Sequence, residues 1–339
     1  MRRLTVLTVA YPFAPVGPDA VGGAEQVAAA LDAALIAAGH RSIVVACAGS
    51  RVAGALRAIE LPAGTIDDSL RARVHGAVRE AVAAALPAAD VVHLHGIDFT
   101  CYLPPPGRPL LATLHLPPDW YPAEAFRSGV HLQCVSAHQH AHCPPCATLL
   151  PPIGNGVDLA ALAARHARRD FLLMLGRICP EKGQHLALRA AHAADAALLI
   201  AGDAFPYPAH RAYLDGAVRP ALDSRRRWIG PVGFARKRRL LSAARGVLIP
   251  SLCAETSSLV AMEAAACGTP VIAFRAGALP EIVRDGVTGF VVDDWPAMAA
   301  AICRLDTIDP AACRAEARAR FDVRDMVAAQ FARYAALAA

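Results

Sequence analysis

The stretch from Arg245 to Val292 reads R-G-V-L-I-P-S-L-C-A-E-T-S-S-L-V-A-M-E-A-A-A-C-G-T-P-V-I-A-F-R-A-G-A-L-P-E-I-V-R-D-G-V-T-G-F-V-V. Val247 to Pro250 form a short, unbroken apolar run, the pattern of a strand covered on both faces. A loop carrying Glu255 follows, then Thr256-Ser257-Ser258, residues whose side-chain oxygens suit the open start of a helix. The predicted helix runs through Leu259, Met262 and Ala266 and stops at Gly268, with Pro270 close behind. A second buried strand, Val271 to Phe274, comes next. Strand, loop and helix start together predict a pocket at the carboxyl end of a parallel sheet, where open α/β sheets bind ligands. The free N–H groups at Ser258 and Leu259 favour a phosphate there. Glu255 and Glu263, eight residues apart, frame the same mouth as acceptors for a sugar or ribose. Taken singly, either glutamate is equally a carboxylate facing the helix dipole or a solvated helix residue.

Working outward, strands alternate with helices. Leu4 to Ala10 and Ser42 to Ala48 are predicted strands, separated by a helix from Ala24 to Gly39 bearing Val27, Leu31 and Leu35. Gly22 and Gly23 at that helix start let a ligand approach the backbone, since no Cβ intervenes. They do not form the G-x-G-x-x-G of a dinucleotide site, which argues against NAD. Arg51 to Thr65 reads as irregular, and Asp67 or Asp68 caps a helix that runs to about Ala85. Strands at Val91 to Leu94, Leu110 to Leu114 and His131 to Val135 each end on a polar residue: His95, His115 and Ser136. That alternation predicts a parallel α/β sheet.

The proline- and glycine-rich P-P-I-G-N-G-V-D, residues 151 to 158, reads as an interdomain connection. Beyond it, Phe171 to Leu175 is a strand, followed by G-R-I-C-P-E-K-G. The glycines there allow Arg177 and Lys182 to converge on one anion, although two such cations are also ordinary surface residues. Val232 lies in a loop whose backbone can meet a base. Helices from about Trp295, Pro310 and Val323 close the chain, the last carrying Met326, Phe331 and Tyr334.

Glu255-x7-Glu263, followed by A-A-A-C-G-T-P-V and G-A-L-P-E-I-V-R-D-G-V-T-G-F, resembles the retaining glycosyltransferases of family 4, glycosyl transferases group 1. The resemblance is strongest from Phe171 to Val292. It implies an α/β GT-B fold of two Rossmann-like domains facing across a cleft. The expected division is an acceptor-side domain at 1–154, a nucleotide-sugar-binding domain at 155–322, and a terminal helix at 323–339 packing back on the first domain. It implies sugar transfer from a nucleoside diphosphate donor to a saccharide, lipid-linked or small-molecule acceptor. By the same resemblance, Arg177 and Lys182 bind the donor diphosphate, Glu263 holds the ribose and Glu255 the sugar hydroxyls. His115 faces the donor sugar and the reaction centre, and Gly22-Gly23 lie over the donor diphosphate and the acceptor. An epimerase or phosphorylase of the same fold, or a non-catalytic sugar-nucleotide-binding protein, are the alternatives.

The bulk numbers fit this. The chain has 339 residues, 55% hydrophobic and 19% charged, enough for two domains. No apolar run reaches the roughly 18 residues of a spanning helix. M-R-R-L-T-V-L-T-V-A-Y-P reads as a first strand rather than a leader, and the ten cysteines show no framework. A cytoplasmic protein with reduced thiols is expected. Net charge is +5, concentrated partly in Arg225-Arg226-Arg227 and Arg236-Lys237-Arg238-Arg239. These suit solvent or, as a peripheral contact, anionic lipid at the inner membrane face. With no stacking aromatics nearby, nucleic acid is disfavoured. In H-Q-H-A-H-C-P-P-C, Cys143 and Cys146 have zinc-like spacing but lack a second pair. Asp67-Asp68 and Asp293-Asp294 read as caps rather than a metal-binding D-x-D, so no metal or other cofactor is expected.

Overall fold

A computed structural model describes residues 2–62, 66–145, 148–163, 165–205 and 207–339. The chain divides into two compact units, Met1–Gly154 with Met326–Ala339, and Asn155–Asp325.

In the first unit, β1 (Thr5–Val9) leads through α1 (Gly23–Ala37) to β2 (Arg41–Cys47) and β3 (Ala55–Ile59). Then come α2 (Asp68–Ala85), β4 (Val91–Leu94), β5 (Leu110–Leu114), β6 (His131–Cys134), α3 (Ala137–Ala141) and β7 (Leu149–Leu150). The sheet order is β3-β2-β1-β4-β5-β6-β7, with every pairing parallel. In β1 all five side chains are buried, as a strand covered by helices on both faces requires. The expectation of irregular chain from Arg51 to Thr65 needs correction, because Ala55–Ile59 pairs with β2. It is an edge strand with only Ile59 buried, so it lacks the apolar run that marks the inner strands; 63–65 lie outside the described residues.

The second unit repeats the plan. β8 (Leu172–Leu175), α4 (Gln184–Ala193), β9 (Leu198–Ala201), α5 (Pro208–Tyr213) and β10 (Arg226–Trp228) precede α6 (Phe234–Ala243) and β11 (Gly246–Ile249). After them come α7 (Leu259–Cys267), β12 (Val271–Phe274), α8 (Leu279–Ile282), β13 (Gly289–Val292), α9 (Trp295–Ile302) and α10 (Pro310–Arg320). The order is β10-β9-β8-β11-β12-β13, again wholly parallel. Connections therefore reverse direction between β8 and β11, the switch point at which such sheets open a crevice beyond their carboxyl ends.

Separate apolar cores cover the two faces of the second sheet. Leu172, Ile200, Leu248 and Met298 lie in one, and Leu173, Val247, Met262 and Phe321 in the other. Helix starts follow the expected chemistry: Asp67 accepts from Leu70 N, Asp294 from Ala297 N and Ser258 from Ala261 N. The final helix, α11 (Val323–Leu337), buries Tyr334 with Leu4, Val6, Val91 and Leu111 of the first unit. There Tyr334 and His93 Nδ1 share a 2.7 Å hydrogen bond, and Gln133 Nε2 donates to Gln330 Oε1 at 2.9 Å.

Candidate functional site

The second unit assembles its site from the loops after β8 and β11. Gly176 (φ 147°) and Gly183 (φ 69°) bracket the turn that carries Arg177 and Lys182. A Cβ on Gly183 would overlap the carbonyl oxygen of Pro250, so glycine lets the first loop press against the second. Leu252 N donates to Glu181 O at 2.8 Å, joining the same two loops. Lys182 Nζ then reaches Glu255 Oε1 at 2.5 Å, with side chains 27% and 10% exposed. Ser251 Oγ donates to that same carboxylate oxygen. Burial acts to lower the Lys182 pKa, but the charge and hydrogen bond of Glu255 outweigh it, so the ammonium is held above its ordinary value. Arg177 acts on Lys182 as a nearby like charge, and its guanidinium lies 5.6 Å from the ring centroid of Phe205.

Glu255 is fixed from behind as well. The turn at Gly277 (φ 59°) packs directly on its backbone, leaving no room for a Cβ, and Ala278 N donates to Glu255 O at 2.6 Å. Beside it, α7 presents its first turn. Ser258 Oγ accepts from Ala261 N at 3.3 Å, while helix geometry leaves the N–H groups of Leu259 and Val260 without an intrahelical partner. Ser257 Oγ is buried here with no hydrogen-bond partner among the described residues. Arg177, Lys182, Glu255, Ser258 and Leu259 thus gather around one switch point: two cations, a carboxylate and a positive helix end.

Glu263 has a partner that sequence reading missed. Lys237 Nζ lies 2.5 Å from Glu263 Oε1, with side chains 14% and 7% exposed. Burial raises the Glu263 pKa, and the Lys237 charge only partly offsets it. Lys237 belongs to the basic run expected at the surface. On α6 it instead turns inward, while Arg236 and Arg239 stay exposed. Arg226 likewise is 6% exposed and pairs with Asp195 and Asp223, leaving Arg225 and Arg227 outside. Val232 is half-buried in the loop before α6.

In the first unit, His115 follows β5 and shares a 2.9 Å hydrogen bond, through Nε2, with His95 Nδ1. Their rings stack 5.2 Å apart. Burial lowers the His115 pKa to about 4 and, with His93 and His115 adding like charge, pushes His95 well down. His93 falls to about 3, first through burial and then through His115 and Arg333. These three rings are therefore neutral imidazoles, donors and acceptors rather than cations. Gln139 on α3 supports them from behind, donating to the carbonyls of Leu114 and Leu116 at 2.9 Å each. Gly22 caps α1, with Gly23 its first residue, and the Glu25 carboxylate occupies the space a Gly22 Cβ would take. A carboxylate of the protein itself thus already faces the positive end of α1.

Of the zinc-spaced pair Cys143 and Cys146, Cys146 lies outside the described residues. Cys143 Sγ is 3.4 Å from Cys134 Sγ, and the rings of His138 and His142 stack 4.1 Å apart. Among the described residues no helix is long and apolar enough to cross a membrane.

Residues 169–307 match the sequence family described as glycosyl transferases group 1. D-inositol 3-phosphate glycosyltransferase of Mycolicibacterium paratuberculosis is 35% identical over 193 residues, 51% of this chain and 42% of that protein. The namesake protein of Mycobacterium leprae is 40% identical over 128 residues, 36% of this chain and 29% of the relative. The chain thus spans less than half the length of these relatives. Among solved structures, AviGT4, a glycosyltransferase involved in avilamycin A biosynthesis, is 27% identical. It covers 99% of this chain and 98% of its own, with a TM-score of 0.74. Sucrose-phosphate synthase from Thermosynechococcus elongatus superposes at 0.78 with 22% identity and 99% coverage of both chains. Anabaena Alr3699/HepE, solved with UDP-glucose, superposes at 0.76 with 19% identity, covering 98% and 100%. The chain has the two-unit α/β GT-B fold of these proteins, and its second unit carries the group 1 sequence pattern.

Proposed function

We propose that the protein is a retaining glycosyltransferase of family 4 that uses a nucleoside diphosphate sugar. The observation that carries the reading is the convergence of Lys182, Arg177, Glu255 and the start of α7 at the β8/β11 switch point. Breaking a glycosyl–phosphate bond leaves growing negative charge on the diphosphate, and preorganised cations and helix N–H groups stabilise such charge. Arg177, Lys182 and the N–H groups at Ser258 and Leu259 take that role. Glu255 accepts from sugar hydroxyls and favours a cationic anomeric carbon. Glu263, poised by Lys237, accepts from the ribose, and Val232 lies against the base.

In the proposed step, the donor's bond from anomeric carbon to phosphate oxygen breaks while a bond to the acceptor oxygen forms on the same face. The acceptor's hydroxyl proton passes to the departing phosphate oxygen. Glu255 serves electrostatically, not as a covalent nucleophile, and the chemistry requires no metal. Gly22, Gly23 and the neutral His115 are assigned to the donor side of the first unit. The acceptor class is a saccharide or a lipid-linked saccharide, with Arg227, Arg236 and Arg239 available for a peripheral contact with anionic lipid at the cytoplasmic face.

Incubation with labelled UDP-, GDP-, ADP- and TDP-sugars tests the reading, with and without saccharide acceptors. Acceptor-dependent release of one nucleoside diphosphate supports it. Acceptor-independent isomerisation of the sugar, or phosphate-dependent cleavage, overturns it.

A further inference from the structure

Cys179 and Glu181 flank Pro180 in the same loop as Arg177 and Lys182, and His210 reaches them from α5. One ligand-type atom from each of the three lies within 4.8 Å of the other two. Cys179 is 2% exposed, and Glu181 remains half-exposed, giving a path from solvent. His210 Nδ1 is buried and has no hydrogen-bond partner among the described residues. A buried imidazole nitrogen left bare costs free energy unless something binds it. Thiolate, carboxylate and imidazole form the mixed donor set that zinc accepts, at about 2.0–2.3 Å from the metal. Ligand atoms around such an ion stand about 3.5 Å apart, so the three need only draw together by roughly an ångström.

We propose that Cys179, Glu181 and His210 bind a divalent cation of the zinc class, clipping α5 to the loop that carries Arg177 and Lys182. Binding replaces the thiol proton, which leaves to solvent, with a sulfur–metal bond. Thiolate and carboxylate together balance the dication. A fourth position stays open to water, as three protein ligands leave it. The site does not depend on the transferase reading, since none of its ligands is assigned to the donor. Its consequence is mechanical: the loop bearing both proposed phosphate cations becomes anchored at its middle.

The test uses chelator-stripped full-length protein titrated with Zn2+ or Co2+ alone. One equivalent of zinc should survive desalting, and cobalt should produce a thiolate-to-metal charge-transfer band. Cys179→Ser should abolish that band. His210→Ala should weaken affinity by at least the roughly tenfold that even an outer-shell change costs. In the unmutated protein, Zn2+ should slow alkylation of Cys179 about tenfold or more while leaving the exposed Cys101 and Cys303 unaffected. A band that survives in folded Cys179→Ser, or equal alkylation of Cys179 with and without Zn2+, overturns the proposal.

Discussion

Replacing Lys182 with alanine separates a phosphate-binding role from a structural one. In the folded protein its ammonium is 2.5 Å from Glu255, with a side chain 27% exposed. Part of its charge therefore remains available to an incoming anion. A charge-assisted hydrogen bond to the donor's β-phosphate contributes about 1.5–3 kcal/mol, or roughly 10–150-fold in affinity. The variant should lose that factor against a nucleoside diphosphate and little against the monophosphate, which lacks the β-phosphate. Turnover should fall by about 10²–10³, the usual loss when one preorganised donor to a developing oxyanion is removed. Stability should drop less, by about 1–3 kcal/mol, because Ser251 still donates to Glu255 after the ion pair is lost. Calorimetric titration with the matched diphosphate and monophosphate, beside a thermal melt, reads all of this. An unchanged ratio between the two nucleotides in folded Lys182→Ala refutes the reasoning.

Further outcomes follow from the same geometry. Lys237→Ala strands a Glu263 carboxylate that is only 7% exposed, so denaturation should show a loss of about 3–5 kcal/mol, with Lys237→Ala/Glu263→Gln recovering part of it. A loss confined to activity would contradict the pairing. Gly277→Ala forces a Cβ into the backbone of Glu255 at a left-handed φ; it should cost about 1–2 kcal/mol or more from conformation alone and depress turnover, and a fully active variant argues against Gly277 setting that loop. His93 and His115, held down at about 3 and about 4, take up protons in the unfolded chain first. Above the ordinary histidine value of roughly 6.5 both states are neutral and the rings add no pH dependence; below it the unfolded chain binds more protons, so stability falls as pH drops towards 4. At pH 5 each should cost about 1.6 kcal/mol relative to pH 6.5. Urea unfolding across that window should show the fall, and a flat profile would mean that these rings are charged in the native state.

Much of this was legible in order, and less of it in partnership. The inner strands declared themselves through continuous apolar runs such as V-L-I and V-I-A-F. Two edge strands hid, because Ala55–Ile59 is mostly exposed and Arg226–Trp228 carries arginines whose burial depends on Asp195 and Asp223. Edge strands are often short and charged for the reason that pairing on one side leaves them open to water. At the site, glycine spacing and residue type pointed to Lys182 and Glu255 as candidate groups for an anion and a polyol, and only the resemblance implied a donor diphosphate and sugar. Their 2.5 Å contact, across 73 positions of sequence, could not be read from spacing. Lys237 shows the same limit, since four adjacent cations look alike until a helix draws Lys237 and Arg238 inward and leaves Arg236 and Arg239 outside.

The most direct test is a crystal structure of the complex with the bound nucleoside diphosphate sugar. The account predicts the diphosphate within hydrogen-bonding reach of Arg177, Lys182 and the first N–H groups of α7, with Glu255 on the sugar and Glu263 on the ribose. A donor bound with its diphosphate away from Lys182 and the start of α7 would contradict it.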